Sequence, residues 1–235
     1  LGSRGLGDVY KRQDVYSAIA RQGYTHVIVL MIAECLSSAN NLMRLAAEEH
    51  PELTVKVFDS KSASIGLGAL AVQVARYAVR GVAFDPLCEL TKRLIDDTVV
   101  YFSLDTLEYL QRGGRIGRAT ALAGGLLQIK PILTFDRKDG MISTAAKVRG
   151  RRGVQQRLIE LATELAAKHP GEEYNLVVCD GNVPEEGAAL EAALTRALPN
   201  AHRVLHGKID ATLAVHLGPN LLGVGVQFLN SKLPA

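Results

Sequence analysis

The sequence predicts an α/β protein of two domains: a parallel α/β domain, then an α+β domain with a mixed or antiparallel sheet. In the first part of the chain, helical patterns alternate with apolar strand patterns, as in a parallel sheet with crossover helices. After Arg80 and Gly81 the pattern changes to short strands, two of them joined by a hairpin signal. We place the domains at residues 14–93 and 94–235 and set residues 1–13 apart.

The first domain reads as helix, strand, helix, strand and helix. Residues 14–21 have the pattern of a helix end, and the run HVIVLMI at residues 26–32 is continuously apolar. Such a run is typical of a parallel strand that is buried on both faces. Further along we predict a helix at 36–49 with Ser37 or Ser38 as its N-cap, a strand at 54–58 and a small-residue helix at 64–80.

After Gly81 we predict a helix at 84–97, near whose start Pro86 stands. Asp139 and Gly140 have the usual chemistry of a hairpin turn. We predict strands at 99–103, 129–135, 141–147, 174–179, 201–205 and 223–228, and helices at 154–168 and 185–198. A further apolar, small-residue helix is expected at 119–127.

Composition bounds the class of protein. At 48% hydrophobic and 22% charged residues, the chain can form an ordinary globular core. No apolar run reaches the ~18 residues that a membrane span needs. Cys35, Cys88 and Cys179 are widely separated, without a C-x-x-C motif, and are typical of reduced thiols in a cytoplasmic protein. The six histidines have no metal-ligand spacing, so no metal site is expected.

Positive charge is concentrated in one part of the chain. The stretch from Arg112 to Arg152 carries ten Lys and Arg against two Asp, a local charge of +8, whereas the whole chain carries +3. An apolar segment lies within the same stretch. This pairing suits a ligand with an anionic head and an apolar tail, or an acidic protein partner.

Several sequence blocks occur in an order that resembles a known family. They are FDSKSASIGLG, LDTLEYLQRGGRI, LLQIKPIL, KVRGRR and HLGPNLLGVGVQFL, spread between about Asp14 and Leu229. Together they resemble the DegV family of bacterial fatty-acid-binding proteins. The resemblance implies a DegV-like two-domain architecture and a bound long-chain fatty acid. It also implies a separate ATP-dependent fatty acid kinase, which converts the bound carboxylate to an acyl phosphate for phospholipid synthesis; the binding protein itself is no enzyme.

The first 13 residues, LGSRGLGDVYKRQ, have no helical or strand period and resemble translated sequencing-adapter sequence. We expect them to be non-native or disordered. DegV proteins open with a strand and an Asp-Ser turn, followed by a Thr-Ser-Gln-Pro segment, and this sequence contains none of these. We therefore expect this sequence to be a fragment that lacks the first strand of the family fold.

Ser37 is the first candidate binding residue. It follows a predicted buried strand and precedes a helix, where backbone N–H groups and the helix dipole favour an anion. From the residues alone, a plain helix cap is the simpler interpretation. The resemblance implies more, because Leu36 and Ser37 match the Leu-Ser pair of the family motif whose Ser binds the fatty-acid carboxylate. Ser38 and Ala39 stand where the family has Gly and Thr.

His216 and Arg115 are the other two candidates. His216 precedes a Gly-Pro turn and matches the family histidine that lies close to the carboxylate; Asn220 replaces the usual Gly. Arg115 follows the flexible pair Gly113 and Gly114 and offers a rigid fork of donors to an anion. We expect Ser37, Arg115 and His216 around the carboxylate, and Arg112 and Arg118 on the surface.

Three interpretations of the basic stretch and the polar residues stay open. Arg149, Arg151 and Arg152 are predicted to dock the kinase. Alternatively, Ser37 and His216 serve a hydrolase or phosphotransferase of small acylated or phosphorylated substrates, although no third triad member stands out. The stretch from Arg112 to Arg152 could also bind nucleic acid, but its one aromatic residue, Phe135, disfavours base stacking.

Overall fold

Two β-sheets with helices on their faces make up the fold, which a computed structural model describes for residues 14–122 and 129–229. The smaller sheet pairs β1 (His26–Met31) with β2 (Thr54–Asp59) in parallel. The larger sheet contains β3 (Thr98–Ser103), β4 (Ile129–Phe135), β5 (Ile142–Arg149), β6 (Tyr174–Gly181), β7 (Arg203–Lys208) and β8 (Leu221–Phe228). Its order is β5-β4-β3-β8-β6-β7, and only β6 and β7 run parallel. The predicted fold class is confirmed.

The helices alternate with these strands along the chain. They are α1 (residues 14–21), α2 (Ala39–Glu48), α3 (Ile65–Val79), α4 (Phe84–Asp96), α5 (Glu108–Arg112), a 3-10 helix (Gly117–Leu122), α6 (Gly150–Ala167), α7 (Pro184–Ala197) and α8 (Ala211–Leu217). None of the helices in the described ranges is long and apolar enough to cross a membrane.

The small sheet carries helices on both faces, as its side-chain alternation requires. Val27 and Val29 of β1 pack with Tyr16 and Met43, which belong to α1 and α2. Ile28 and Leu30 point the other way, into a cluster of α3 and α4 residues. The prediction that β1 is buried on both faces was too strong, because the strand is only partly buried. Within the described residues, β1 has one strand neighbour, β2.

Helix α3 lies between the two sheets and connects their cores. Leu70 and Val74 pack with α4 and the small sheet, whereas Ile65 and Ala69 belong to a cluster with Val100 of the large sheet. The opposite face of the large sheet is covered by α6 and α7, whose buried leucines include Leu158, Leu161, Leu190 and Leu194. Strands β6 and β8 are buried along their whole lengths because they are central in the sheet.

Most predicted elements occur within a few residues of their expected bounds, with three differences. Strand β7 was expected at 201–205 but continues to Lys208, because parallel backbone pairing with β6 extends it through polar residues. Helices α5 and α8 were not predicted, since five and seven residues are too few for a clear period. Where the sequence predicts a helix at 119–127, the structure has a 3-10 helix that begins at Gly117 and ends at Leu122. Residues 123–128 and 1–13, on which predictions were made, lie outside the described ranges.

The sequence predicts the junction between the domains at residues 93 and 94. The boundary predicted between residues 93 and 94 lies inside α4, whose last turn still packs with the small sheet through Leu94 and Ile95. The large sheet starts at Thr98. We therefore propose that the two domains meet at the short connection between α4 and β3.

Candidate functional site

A cavity of about 320 Å³ lies between the start of α3, one face of the large sheet and α8. Most of its wall is aliphatic or aromatic, and Phe102 and Phe135 stand side by side in it with ring centroids 5.4 Å apart. The apolar wall also includes Ile32, Leu36, Ala63, Ile65, Val100, Leu110, Ile142, Ile209, Leu213, Leu217 and Leu221. Such a space suits an apolar ligand, and a few polar groups would fix the ligand's orientation.

Ser37 lines this cavity from the loop between β1 and α2. Its Oγ accepts a hydrogen bond from the backbone N–H of Ala39 at 3.3 Å, and its own N–H donates to the Ala33 carbonyl at 3.2 Å. Ser38 occupies the N-cap position of α2, yet its side chain makes no capping hydrogen bond. The partly buried Ser37 hydroxyl is thus held at the helix start, where partial positive charge favours an anion.

Arg115 reaches the same cavity from the turn after α5. Its Nε donates to the Leu36 carbonyl at 3.3 Å, and its Nη1 donates to the Gly113 carbonyl at 2.6 Å. The guanidinium is therefore tied to the residue before Ser37. A guanidinium has five N–H donors, so these two bonds leave donors for an anion.

His216 occupies the last turn of α8 and lines the cavity. Its Nδ1 is buried and has no hydrogen-bond partner in the described parts of the chain. A hydrogen on Nδ1 would be buried without an acceptor, which costs free energy. The neutral ring is therefore expected to carry its hydrogen on Nε2, which becomes the donor available to a ligand.

The three candidate residues thus come from three separate parts of the chain and line one cavity. Arg112 and Arg118 do not join them. Both are exposed; Arg112 pairs with Glu108 at 2.5 Å, and Arg118 forms a two-pronged contact with Asp139. This surface position is the one expected from the sequence.

Two hydroxyl groups of the cavity wall, those of Ser64 and Thr212, were not identified from the sequence. Ser64 precedes α3 with a φ of 52°, in the left-handed region, and ends the turn that follows β2. In that turn, Asp59 Oδ1 accepts from the N–H groups of Lys61 and Glu34. These contacts are those of a structural turn, and nothing in local sequence separates Ser64 from its neighbouring serines.

The basic stretch is less uniform on the surface than in the sequence. At least five of its ten cations form ion pairs within 4.0 Å of carboxylates of the same chain: Arg112, Arg118, Lys130, Arg137 and Arg151. Acidic residues brought in by the fold, such as Asp105 and Glu186, neutralise part of the local charge.

The three predicted docking residues differ in their surroundings. Arg149 and Arg152 are exposed. Arg151 is partly buried: its Nε donates to Glu186 at 2.7 Å and its Nη1 donates to the Asn220 carbonyl at 2.7 Å. Asp105 Oδ1 lies 3.5 Å from the same Nη1. The Arg151 guanidinium is therefore engaged within the chain.

All three cysteines are free thiols: Cys35 is exposed, and Cys88 and Cys179 are buried. Cys179 lines the cavity, where burial, with a smaller effect of Asp180, raises the pKa of its thiol to about 12. Its thiol form is uncharged and adds to the apolar wall. Among the described residues, no group of three His, Cys, Asp or Glu side chains is arranged to hold a metal ion.

Comparisons with known proteins identify relatives over most of the chain. The family profile described as an uncharacterised protein of the DegV family matches residues 8–229, which include the last part of the segment 1–13. A DegV domain-containing protein of Clostridium acetobutylicum is 33% identical over 220 residues, which cover 93% of this chain and 75% of the relative. A second, from Clostridium perfringens, is 33% identical over 213 residues, which cover 91% and 74%.

Solved structures agree with this relationship. The fatty-acid-binding DegV family protein of Thermus thermophilus has a TM-score of 0.87 at 29% identity, covering 94% of this chain and 77% of that one. A stearic-acid-binding protein from Eubacterium ventriosum has a TM-score of 0.85 at 26% identity, covering 96% and 78%. DegV proteins of known structure therefore bind fatty acids. With a family match over nearly its whole length and the same fold, this chain belongs to the DegV family.

Proposed function

We propose that this chain binds a long-chain fatty acid, with the carboxylate at Ser37, Arg115 and His216 and the acyl chain in the apolar cavity. The observation that carries the proposal is the convergence of these three polar side chains on one cavity whose remaining wall is almost entirely apolar. A fatty acid has the same division between a charged head and a long apolar tail. The fatty-acid-binding relatives support the same ligand class.

The physical basis of binding differs between the two ends of the ligand. Burial of the acyl chain contributes roughly 25 cal/mol per Å² of apolar surface removed from water. At the other end, the Ser37 hydroxyl, the Arg115 guanidinium and the His216 Nε2–H each supply a donor. Hydrogen bonds to a charged group are stronger than neutral ones, so these donors offset the loss of carboxylate hydration.

The proposal also covers what happens to the bound fatty acid. We infer that the bound fatty acid is presented in the cytoplasm to a separate fatty acid kinase, and that the acyl phosphate serves phospholipid synthesis. The chain itself then contributes binding and orientation rather than independent catalysis. Arg149 and Arg152, exposed at the junction of β5 and α6, are the proposed docking residues for an acidic kinase surface.

The rival functions have less support. For a hydrolase or phosphotransferase, Ser37 would need a base. In the described structure its Oγ instead accepts from a backbone amide, and His216 Nδ1 is unpaired. For nucleic-acid binding, the basic stretch would need accessible charge and aromatic rings. At least five of its ten cations are paired with carboxylates, and Phe135 lines the cavity.

Native mass spectrometry of the full chain purified from a bacterial host tests the proposal. We expect a co-purifying mass equal to one long-chain fatty acid, and rebinding of stearate at one equivalent after delipidation. A correctly folded, delipidated protein that binds no fatty acid from C12 to C20 would overturn the proposed function. Turnover of acyl esters or phosphate esters without a partner protein would favour the enzyme instead.

A further inference from the structure

The turn between α8 and β8 connects His216 to the large sheet, and Asn220 is its most strongly held residue. Asn220 has a φ of 62°, in the left-handed region. Its backbone N–H donates to the Gly181 carbonyl at 2.7 Å, and its carbonyl accepts from Arg151 Nη1 at 2.7 Å. Its side-chain Nδ2 donates to Asp105 Oδ2, also at 2.7 Å. Three separate elements therefore bind this one residue.

The two side chains that hold Asn220 are themselves anchored. Asp105 follows β3 and lies 3.5 Å from both Lys130 Nζ and Arg151 Nη1. Arg151 is also bonded to Glu186 of α7 at 2.7 Å. Asn220 is thus connected through charged groups to β4, α6 and α7, which belong to the well-packed part of the large domain.

Helix α8 packs shallowly, with the partly buried Leu217 against a cluster of the large sheet. None of its residues is fully buried, and Val215 is 70% exposed. Asp210 caps its first turn by accepting from the Leu213 N–H at 2.9 Å. At the other end, Gly218 packs against the Tyr109 ring, where a Cβ would lie 2.6 Å from Cδ2. A short, shallowly packed helix opens locally at low cost unless its ends are held.

We propose that Asp105 and Asn220, supported by Arg151, act as positioning residues that hold the end of α8 and so set the place of the His216 ring in the cavity. The hydrogen bond from the Asn220 amide to Asp105 is the specific contact in this role. The predicted effect of these residues on fatty-acid binding rests on the proposed function. Their predicted effect on α8 is measured in the ligand-free protein and does not depend on that function.

Asn220→Gly removes only the side-chain contact, because Gly accepts the left-handed backbone and keeps the two main-chain hydrogen bonds. Asn182→Gly is the matched control: Asn182 is exposed and also left-handed, with a φ of 68°. A second pair varies the acceptor. Asp105→Asn retains an oxygen for the Asn220 amide, whereas Asp105→Ala does not. Each change is made in the full chain, with and without His216→Ala.

Two measurements test the proposal: amide hydrogen exchange of residues 211–217 in the ligand-free protein, and stearate affinity by displacement of a fluorescent fatty acid. We expect Asn220→Gly to speed exchange in α8 about tenfold and weaken stearate binding about fivefold, with Asn182→Gly near the parent. Asp105→Ala should behave like Asn220→Gly, and Asp105→Asn should retain most of the affinity. In the His216→Ala background, Asn220→Gly should cause no further loss of affinity.

Either of two results would overturn the proposal: unchanged exchange in α8, or the same loss of affinity with and without His216. If the folded parent bound no fatty acid, the proposed function would fail. The exchange of α8 would then still decide whether the Asn220 contact holds the helix.

Discussion

The imidazole of His216 occupies the space in which a side chain at position 113 would stand. A Cβ built on Gly113 would lie 2.6 Å from His216 Nδ1 and 3.2 Å from the Tyr109 carbonyl oxygen. The backbone at Gly113 is ordinary, with a φ of −75°, so only the lack of space requires glycine. At Gly114 the reason is the opposite: φ is 67°, and nothing lies within 4 Å of a Cβ.

Gly113→Ala should displace the His216 ring and weaken fatty-acid binding by about tenfold, because misplacing a ligand-binding group by about 1 Å is costly. The measurement is stearate titration, with circular dichroism to check folding. Gly68→Ala is the control: Gly68 is exposed in α3, and its Cβ would meet nothing within 4 Å. That change should keep affinity and stabilise the helix by about 1 kcal/mol. Equal affinities in both variants would separate Gly113 from the site.

Ser37→Ala should weaken fatty-acid binding by about 1.5–3 kcal/mol, the value of a hydrogen bond to a charged group. Ser38→Ala is a neighbouring control, since Ser38 is exposed and its side chain makes no capping hydrogen bond. Both variants are titrated with a fluorescent fatty acid after their thermal midpoints are compared. An unchanged affinity in folded Ser37→Ala would remove this hydroxyl from the head-group site.

Arg115→Ala should lower fatty-acid affinity more than Arg112→Ala, although the two arginines are three residues apart and both exposed. Arg115 lines the cavity, whereas Arg112 pairs with Glu108 on the surface. We expect at least a tenfold loss for Arg115→Ala, from a charged contact to the carboxylate, and a change below twofold for Arg112→Ala. Isothermal titration with stearate measures both. A larger loss for Arg112→Ala would contradict the placement of the carboxylate.

Reversing Arg149 and Arg152 to Glu should slow acyl-phosphate formation with a cognate fatty acid kinase by about tenfold at low salt, because steering charges act mainly on association. Fatty-acid affinity should stay near the parent value. Arg151 is left unchanged, since a carboxylate there would face Asp105 and Glu186 and disturb the fold. The assay is run at two salt concentrations. Loss of lipid binding with normal coupling to the kinase would reverse the proposed roles of Arg115 and this pair.

His206 should make stability depend on pH. Its Nδ1 lies 2.6 Å from Glu191 Oε2 and its Nε2 lies 3.1 Å from Asp180 Oδ2. The hydrogen bond with Glu191 is the largest cause that raises the pKa of His206, and Asp180 adds to it. A raised folded-state pKa stabilises the fold fully below the unfolded value of about 6.5, and this contribution is lost as pH rises through the folded value.

The comparison that isolates this contribution is urea unfolding of the parent and of His206→Gln between pH 5 and pH 9. The parent should be the more stable at pH 5, and the difference should shrink toward pH 9. Glu191→Gln should reduce the pH dependence of stability, because it removes the carboxylate that raises the His206 pKa most. A difference that grows with pH would contradict the sign of the pKa shift.

Strand and helix positions were largely predictable because hydrophobic periodicity is a local property. The alternation of β1, in which Val27 and Val29 face one layer and Ile28 and Leu30 the other, follows from the strand itself. Helix α8 escaped prediction because its seven residues are too few to show a clear helical period. The cavity hydroxyls of Ser64 and Thr212 also escaped, since the cavity depends on the packing of α3 and α8 against the large sheet.

By itself the sequence determined the α/β class, the family resemblance and the three candidate residues Ser37, Arg115 and His216, because these depend on local pattern and motif. Only the tertiary structure decided that the three line one cavity, since their separation along the chain says nothing about distance in space. It also showed that Arg151 is partly buried, whereas Arg149 and Arg152 are exposed. The net charge of a sequence segment counts only the residues within that segment. Asp105 and Glu186, which pair with Arg151, come from other elements of the fold.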